Sequence, residues 1–480
     1  MSNARLRAIW MAKVATGAVH VASGAVNTAS GAVVLPSPAF TLYRPDRVAV
    51  RKDSIVASDL EVVTVTDRSV ILTWTTRARE SSGRLRPVDA DTEVRIAPAD
   101  SIGPAPTRYL DSQRTAYHYA EITGLEPGRR YRFEAYSGGH RAGPARTLVT
   151  RRAGTPESTG MFTTLTPPPG PLLRTIALAN DVHYGERISG LLIAGLTPGL
   201  RHETDQHPEI MLDALLTDLR HPDRTVDHLI VAGDLTDSGT LEQSRAVRQR
   251  LDGWGTLGRD YFVCRGNHDV PRDPRRDDWG AVFHPLGHVS ADDVAGLRIL
   301  GLDTARLRSA GGSVGAPQLA RLRGLLSADP DRPTLVFGHH PVTSSAAVSN
   351  PAGPGFVLDR VTAAALHHLY RNAPGVFLHH TGHTHRNRVG RPDADIPVEF
   401  LEGAAVKEYP GGYVRLSIHS GGYMVNFYKT RTEAARCWST RTRRQYLGLH
   451  PDHALGSLAD RNHVVLRDLS GVAPATSRQV

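Results

Sequence analysis

Tyr261-Phe-Val-Cys264-Arg265-Gly266-Asn267-His268-Asp269 joins two kinds of sequence in one short stretch. Its first four residues are an apolar, β-prone run of the kind that forms a buried strand. Its end places an amide, an imidazole and a carboxylate behind a glycine that lets the backbone turn sharply. The same construction recurs along the chain. Asp181-Val-His183 follows the run Thr175–Ala179, Gly233-Asp234 follows His228–Ala232, His339-His340-Pro341 follows Thr334–Phe337, and Gly382-His383-Thr384-His385 follows Val376–Leu378. A further apolar run covers Leu297–Leu302, and helical periodicity predicts helices over Pro208–Arg220, Leu241–Leu251, Pro317–Leu326 and Val361–Arg371. Strand and helix alternate, which predicts an α/β layered domain whose ligands gather at the carboxyl ends of its strands.

One Asp-x-His pair or Gly-Asp turn proves little. Five clusters, each at a strand end, are a donor set: carboxylates, one amide oxygen and neutral imidazoles suit Mn, Fe, Co, Ni or Zn, whereas Ca or Mg favour oxygen alone. A shared carboxylate could hold two ions ~3.5–4 Å apart, a spacing suited to displacement at phosphorus. With all five blocks present, the stretch from about 172 to 430 resembles the calcineurin-like metallophosphoesterase family. The resemblance implies a central β-sandwich flanked by helices with two metals at one edge. It implies that Asp181, His183 and His385 bind one ion, that Asn267, His339 and His383 bind the other, and that Asp234 bridges them. His268 would act as the acid beside the metals. If the strand continues, His339 and His340 point to opposite faces, so only one can ligate. The family pattern favours His339 and leaves His340 to packing or to the substrate side. His379 and His380 are expected as strand residues or as partners of the ligands.

Two insertions are expected to shape the pocket: 184–207, which contains His202, and 342–359. Arg272, just past the Gly266–Asp269 block, could meet a substrate phosphate, since a guanidinium matches its oxygens bidentately. Pairing with neighbouring aspartates serves equally well as an explanation.

Upstream, Thr166-Pro-Pro-Pro-Gly-Pro-Leu172 is a linker that cannot continue a ladder. Before it lie short alternating strands, Val62–Thr66, Ser69–Thr76, Thr92–Ile96, Tyr117–Ile122 and Tyr131–Tyr136, at the spacing of a small sandwich. Leu125-Glu-Pro-Gly-Arg-Arg-Tyr131, with Trp74 earlier, resembles a fibronectin type III domain. This order of domains resembles the purple acid phosphatases, with one departure. Those enzymes carry tyrosine three residues after the bridging aspartate, and here Asp237 stands there, either capping a helix or acting as a carboxylate near the ligands. The resulting organisation is a low-complexity arm over 1–43, an all-β fibronectin III-like sandwich over 44–165, the linker 166–172, the α/β metallophosphoesterase domain over 173–430 and a basic extension over 431–480. In the extension, Arg441, Arg443 and Arg444 near Trp438 and Tyr446 either bind nucleic acid or pack back across the catalytic domain.

The rest of the 480-residue composition narrows the class. At 40% hydrophobic, 22% charged and 6% aromatic it is that of a globular protein. Two cysteines, Cys264 and Cys437, form neither a disulfide framework nor a cysteine zinc site. The 57 basic residues exceed the 48 acidic ones, yet they are spread rather than blocked, which favours a mixed-charge surface over a nucleic-acid stripe. Only Lys13, Lys52, Lys407 and Lys429 among them are lysines. No apolar run is long enough for a membrane span. The seven-residue repeat beginning at Ala15, Ala22 and Ala29 interrupts any signal-peptide core with glycine, which favours a cytoplasmic location.

The expected function is hydrolysis of a phosphodiester or phosphomonoester by attack of a metal-bound hydroxide, with two divalent ions (Mn, Fe or Zn) per chain. The substrate is a phosphorylated small molecule or polymer. The alternatives are a nuclease or cyclic-nucleotide phosphodiesterase, where nucleic acid enters only as substrate, and a surface-binding protein whose metal site is structural. The sequence leaves the oligomeric state open.

Overall fold

The computed structural model describes residues 54–100, 107–145, 154–190, 206–271, 273, 275–350, 352–390, 395–445 and 451–475. The arm 1–43, His202, Arg272 and Tyr446 lie outside the described residues.

The N-terminal region is all-β. One antiparallel sheet holds Ile55–Val65, Val70–Arg79, Leu85–Pro87 and Tyr117–Ile122. The other holds Ala90–Pro98, Thr107–Thr115, Arg130–Ser137, His140–Arg141 and Met161–Thr163. Alternation sends Val62, Leu72 and Trp74 of the first sheet against Val94, Ile96 and Phe133 of the second, in one buried cluster.

Beyond the proline-rich segment come two six-stranded sheets. The first runs Tyr261–Cys264, His228–Ala232, Leu172–Ala179, Gly412–His419, Gly422–Lys429, Asn462–Leu466. The second runs Val289–Val294, Leu297–Leu302, Thr334–Gly338, Val376–Thr381, Glu399–Glu402, Arg388–Gly390. They share a core in which Ile176, Ile230 and Val263 of the first meet Ile299, Phe337 and Leu378 of the second. Helix His207–Arg220 covers the first sheet with Met211, Leu212 and Leu215. Helices Ala316–Ala328 and Arg360–Arg371 cover the second with Leu322, Leu326, Leu366 and Leu369. This is an α/β layered architecture, two facing sheets covered by helices on their outer sides.

Register decides where the chemistry falls. Parallel pairing sets Val231 opposite Ala179 and Cys264 opposite Ala232, so three loops leave the first sheet at one edge. In the second sheet Phe337 lies opposite His380, which brings the loops after both strands to a common edge.

The C-terminal segment is built into this body. Asn462–Leu466 is the sixth strand of the first sheet, and Trp438 of helix Glu433–Thr442 is fully buried. Arg461 donates to Val62 O at 2.6 Å and Val63 O at 3.0 Å, while Thr64 Oγ1 donates to Phe427 O at 2.6 Å, joining the N-terminal sheet to the first six-stranded sheet. Arg443 pairs with Glu61 at 2.7 Å and Asp59 at 3.4 Å, so it packs inward rather than forming a nucleic-acid surface. Among the described residues no helix is long and apolar enough to cross a membrane.

Candidate metal centre

Where the strands stop, the backbone takes left-handed turns. Asp181, His183, Asp234, His383 and His385 have φ of 54°, 50°, 49°, 67° and 50°. Among the described non-glycine residues just Asp59, Ala295 and Arg308 share that region. Each such residue costs about 1–3 kcal/mol unless its surroundings hold it there. They do: Asp181 N–H donates to Gly233 O, His183 N–H to Asp234 O at 2.8 Å, and His383 N–H to Asp181 Oδ2 at 2.9 Å. Gly233, at φ 82°, is required twice over, because a Cβ there would meet the His339 imidazole at 2.7 Å.

These turns bring together all seven residues singled out as ligands. His385 Nε2 lies 3.2 Å from Asp181 Oδ1, and His183 Nε2 lies 3.7 Å from the same oxygen. On the other side His339 Nε2 is 3.1 Å from Asn267 Oδ1, from His383 Nδ1 and from Asp234 Oδ2. Asp234 Oδ2 is also 3.4 Å from His183 Nε2 and therefore stands between the two groups. Bonds of ~2.0–2.2 Å to one cation set its ligand atoms about 3 Å apart, which these separations match.

Burial by itself disfavours charge here, but the attraction between carboxylates and imidazoles is stronger. Asp181 and Asp234 are held well below the ordinary carboxylate range despite burial, chiefly by His385 and His339 respectively. Against the same burial, His339 is pushed up to about 9 by Asp234, and His385 to about 10 by Asp181 and Glu408. His383 is lowered to about 3 by burial and by His339. Asp181 Oδ1 and His183 Nε2, both within the candidate centre, are buried without a hydrogen-bond partner. Buried donor and acceptor atoms of this kind are expected to be satisfied, and a divalent cation does so for a whole set at once.

His268 stands at the edge of the centre. Its N–H donates to Asp234 Oδ1 at 2.8 Å and its ring lies 4.4 Å from that of His183. Nδ1 pairs with Asp237 O at 2.9 Å, so Nε2 is the nitrogen left to exchange a proton. Asp237 caps no helix: Thr240 caps Leu241–Asp252, and the Asp237 carboxylate instead groups with His183 and His268. Asp269 ties two loops together by accepting from Leu235 N, Thr236 N and Gly266 N at 3.1, 2.8 and 3.0 Å.

The strand ends at Gly338, so the condition under which His339 and His340 would point to opposite faces is not met. Both rings flank His383, His340 at 4.7 Å and His339 at 4.9 Å between centroids. His340 Nδ1 pairs with Thr304 Oγ1 at 2.8 Å, and its Nε2 is buried and unpaired. His379 and His380 are strand residues, paired with Tyr370 Oη and Leu401 O. Phe356, from the second insertion, stacks on His383 at 5.5 Å.

Sequence reasoning missed three charged residues behind the centre. Glu408 Oε1 accepts from His385 Nδ1 at 2.7 Å, Glu186 Oε2 lies 3.2 Å from His183 Nδ1, and Lys407 joins the two carboxylates. Glu186 lies in a segment read only as an insertion, and Lys407-Glu408 lies in no motif at all. The one signal was compositional, a lysine in a chain that otherwise uses arginine.

Residues 174–387 match the family described as calcineurin-like phosphoesterase. A segment of 121 residues is 31% identical to the probable glycerophosphodiester phosphodiesterase GpdQ of Arcobacter nitrofigilis. That alignment takes in 24% of this chain and 42% of the relative, so the chain spans less than half the length of the curated protein it matches. Among solved structures, a dimetal phosphatase from Danio rerio aligns with a TM-score of 0.42 at 16% identity, over 54% of this chain and 96% of that one. The structure of PhoD aligns with a TM-score of 0.34 at 12% identity, over 80% and 87%. Residues 174–387, which carry these His and Asp clusters, are a calcineurin-like phosphoesterase domain.

Proposed function

We propose that the chain is a dinuclear-metal phosphoesterase, with Asp181, His183 and His385 holding one divalent cation, Asn267, His339 and His383 the other, and Asp234 bridging. The observation that carries this is the position of Asp234 Oδ2, 3.4 Å from His183 Nε2 and 3.1 Å from His339 Nε2. When bound, such cations supply Lewis acidity toward phosphoryl oxygens and activate water. The chain's own residues supply orientation and proton transfer. His339 Nδ1–H is anchored on Ala232 O at 2.9 Å, which fixes Nε2 toward the centre. His268, oriented by Asp237 O and Asp234, gives the departing alkoxide its proton. Asp269 holds the Asp234 and Asn267 loops at a fixed distance from each other.

A phosphodiester is the favoured substrate class, since the named relative is a phosphodiesterase, although a monoester fits the same donors. His340 and Phe356, beside His383, are the substrate-side residues of this reading. Arg443 is engaged by Asp59 and Glu61, which speaks against a strand of nucleic acid lying along the C-terminal segment. The N-terminal sandwich is read as fibronectin III-like. Tyr131 Oη accepts from Glu126 N at 2.9 Å, the corner bond of such sandwiches, and Trp74 is buried.

The test is hydrolysis of phosphodiesters, phosphomonoesters and nucleic acids by purified protein loaded separately with Mn, Zn, Fe and Co. Diester hydrolysis that requires added cation is expected. Two bound cations with no hydrolysis of any substrate would make this a surface-binding protein with a structural metal site.

A further inference from the structure

Three buried charges stand directly behind one half of the centre. Lys407 Nζ is 2.5 Å from Glu186 Oε2 and 4.0 Å from Glu408 Oε2, and its side chain is 7% exposed. Each carboxylate faces the far nitrogen of one imidazole: Glu186 faces His183 Nδ1 at 3.2 Å, and Glu408 faces His385 Nδ1 at 2.7 Å. Those two imidazoles form one candidate group with Asp181. The network is anchored from three sides. Ser189 Oγ donates to Glu408 Oε2 at 2.5 Å, Lys407 N–H donates to Asp181 O at 3.2 Å, and Trp438 Nε1 donates to Lys407 O at 2.8 Å.

The other half is supported differently. His339 leans on a backbone carbonyl, and nothing charged backs it on that nitrogen. A carboxylate behind an imidazole fixes its tautomer and strengthens its other nitrogen as a donor to metal. Two carboxylates set side by side in a dry interior repel unless a cation lies between them. A lysine suits that place because its ammonium is a compact point charge, whereas the planar guanidinium used almost everywhere else in this chain demands bidentate geometry.

We infer that Lys407 is a positioning residue that clamps Glu186 and Glu408 together, orienting His183 and His385 toward a single cation and leaving the second cation site unaffected. This rests on the dinuclear reading given above. The clamp makes the two half-sites unequal: one owes its affinity to a buried ion network, the other to local backbone bonds.

Titration with Co²⁺ alone tests this, followed by visible absorption and by metal analysis after dialysis, on the parent, Lys407→Met, Glu186→Gln and Glu408→Gln. The parent is expected to bind two ions. Lys407→Met is expected to bind one with parental affinity and the other about 10–100-fold more weakly, the usual cost of losing such an outer partner. Each glutamine variant is expected to weaken the same ion by a smaller factor. Should Lys407→Met fail to fold, the two glutamine variants decide by the same measure. Parental affinity at both sites in the variants, or an equal loss at both, overturns the clamp. A parent that binds no Co²⁺ overturns the dinuclear reading itself, and the clamp with it.

Discussion

The two halves of the proposed centre draw on similar side chains and bring them together by different routes. Asn267, His339 and His383 sit just past the strands that end at Cys264, Gly338 and Thr381, and the support of His339 is the carbonyl of Ala232 on the neighbouring sheet. Asp181, His183 and His385 also follow strand ends, but their imidazoles are backed by Glu186, Lys407 and Glu408, from loops 221 residues apart in sequence. Those loops lean in turn on the C-terminal helix through Trp438 and, through Tyr409 and Glu61, on the N-terminal sheet. The first half is therefore local, a product of strand register, whereas the second depends on the assembly of the whole chain. Similar donor chemistry at two sites does not imply similar dependence on the fold.

The largest expected effect removes the comparison altogether. In the proposed centre Asp234 serves both halves, and without its carboxylate two cations would face each other with no anion between them. Asp234→Ala is expected to lose tight binding of both ions and, with several kcal/mol of charge stabilisation gone, at least ~10³-fold in kcat/KM. Elemental analysis beside the parent checks this, and full two-metal occupancy in the variant would end the bridging assignment.

His268 belongs to neither half, so its loss sharpens the contrast by leaving both intact. His268→Ala is expected to keep two cations and to lose ~10²–10⁴-fold on alkyl phosphoesters, whose basic leaving group needs the proton. On nitrophenyl esters, which depart as stable phenolates, the loss should be distinctly smaller. Equal losses on both ester types, with metals retained, would assign this histidine to phosphate binding instead.

The local half was legible in the sequence, and the assembled half only in part. The runs at His228–Ala232, Tyr261–Cys264 and Leu297–Leu302 are strands with the bounds that their apolar residues indicate, because buried parallel strands read as continuous hydrophobic runs. The polar residues after those runs carry their own signal in glycine and spacing. Edge strands such as Val289-Ser-Ala-Asp-Asp-Val294 escaped notice, since their alternation is diluted by charge that faces solvent. Glu186 and Lys407-Glu408 lie in no repeated pattern, and only the fold brings them together. Alternating faces hold only within a strand, and this one ends at Gly338, so His339 and His340 are placed by the loop that follows it. Arg443 and Trp438 read as a stacking surface or, in preference, as a segment packed back on the domain, and here Trp438 is buried and Arg443 is paired with Glu61.

The smallest expected effect concerns how the assembled half is held to the N-terminal sheet. Glu61 is buried between the two regions, accepting from Lys429 Nζ at 2.5 Å, Arg443 Nε at 2.7 Å and Tyr409 Oη at 2.7 Å. Burial alone would raise its pKa, but Lys429 and Arg443 outweigh burial and lower it from 4.5 to about 2. A carboxyl whose folded value lies below its unfolded one contributes stability that is complete above the unfolded pKa. That stability is lost as pH falls from about 4.5 toward about 2. The shift corresponds to roughly 3 kcal/mol, an upper figure because Lys429 and Arg443 repel each other and Arg443 also answers to Asp59. Glu61→Gln removes the titrating group while keeping its size. At pH 7 the variant is expected to melt several degrees below the parent, and the gap between the two should close as pH falls through 4 toward 2. Thermal unfolding of both proteins across that range is the measurement. A gap that stays constant with pH would mean that Glu61 contributes shape rather than charge, and that the tie through Tyr409 to the Lys407-Glu408 segment is not electrostatic.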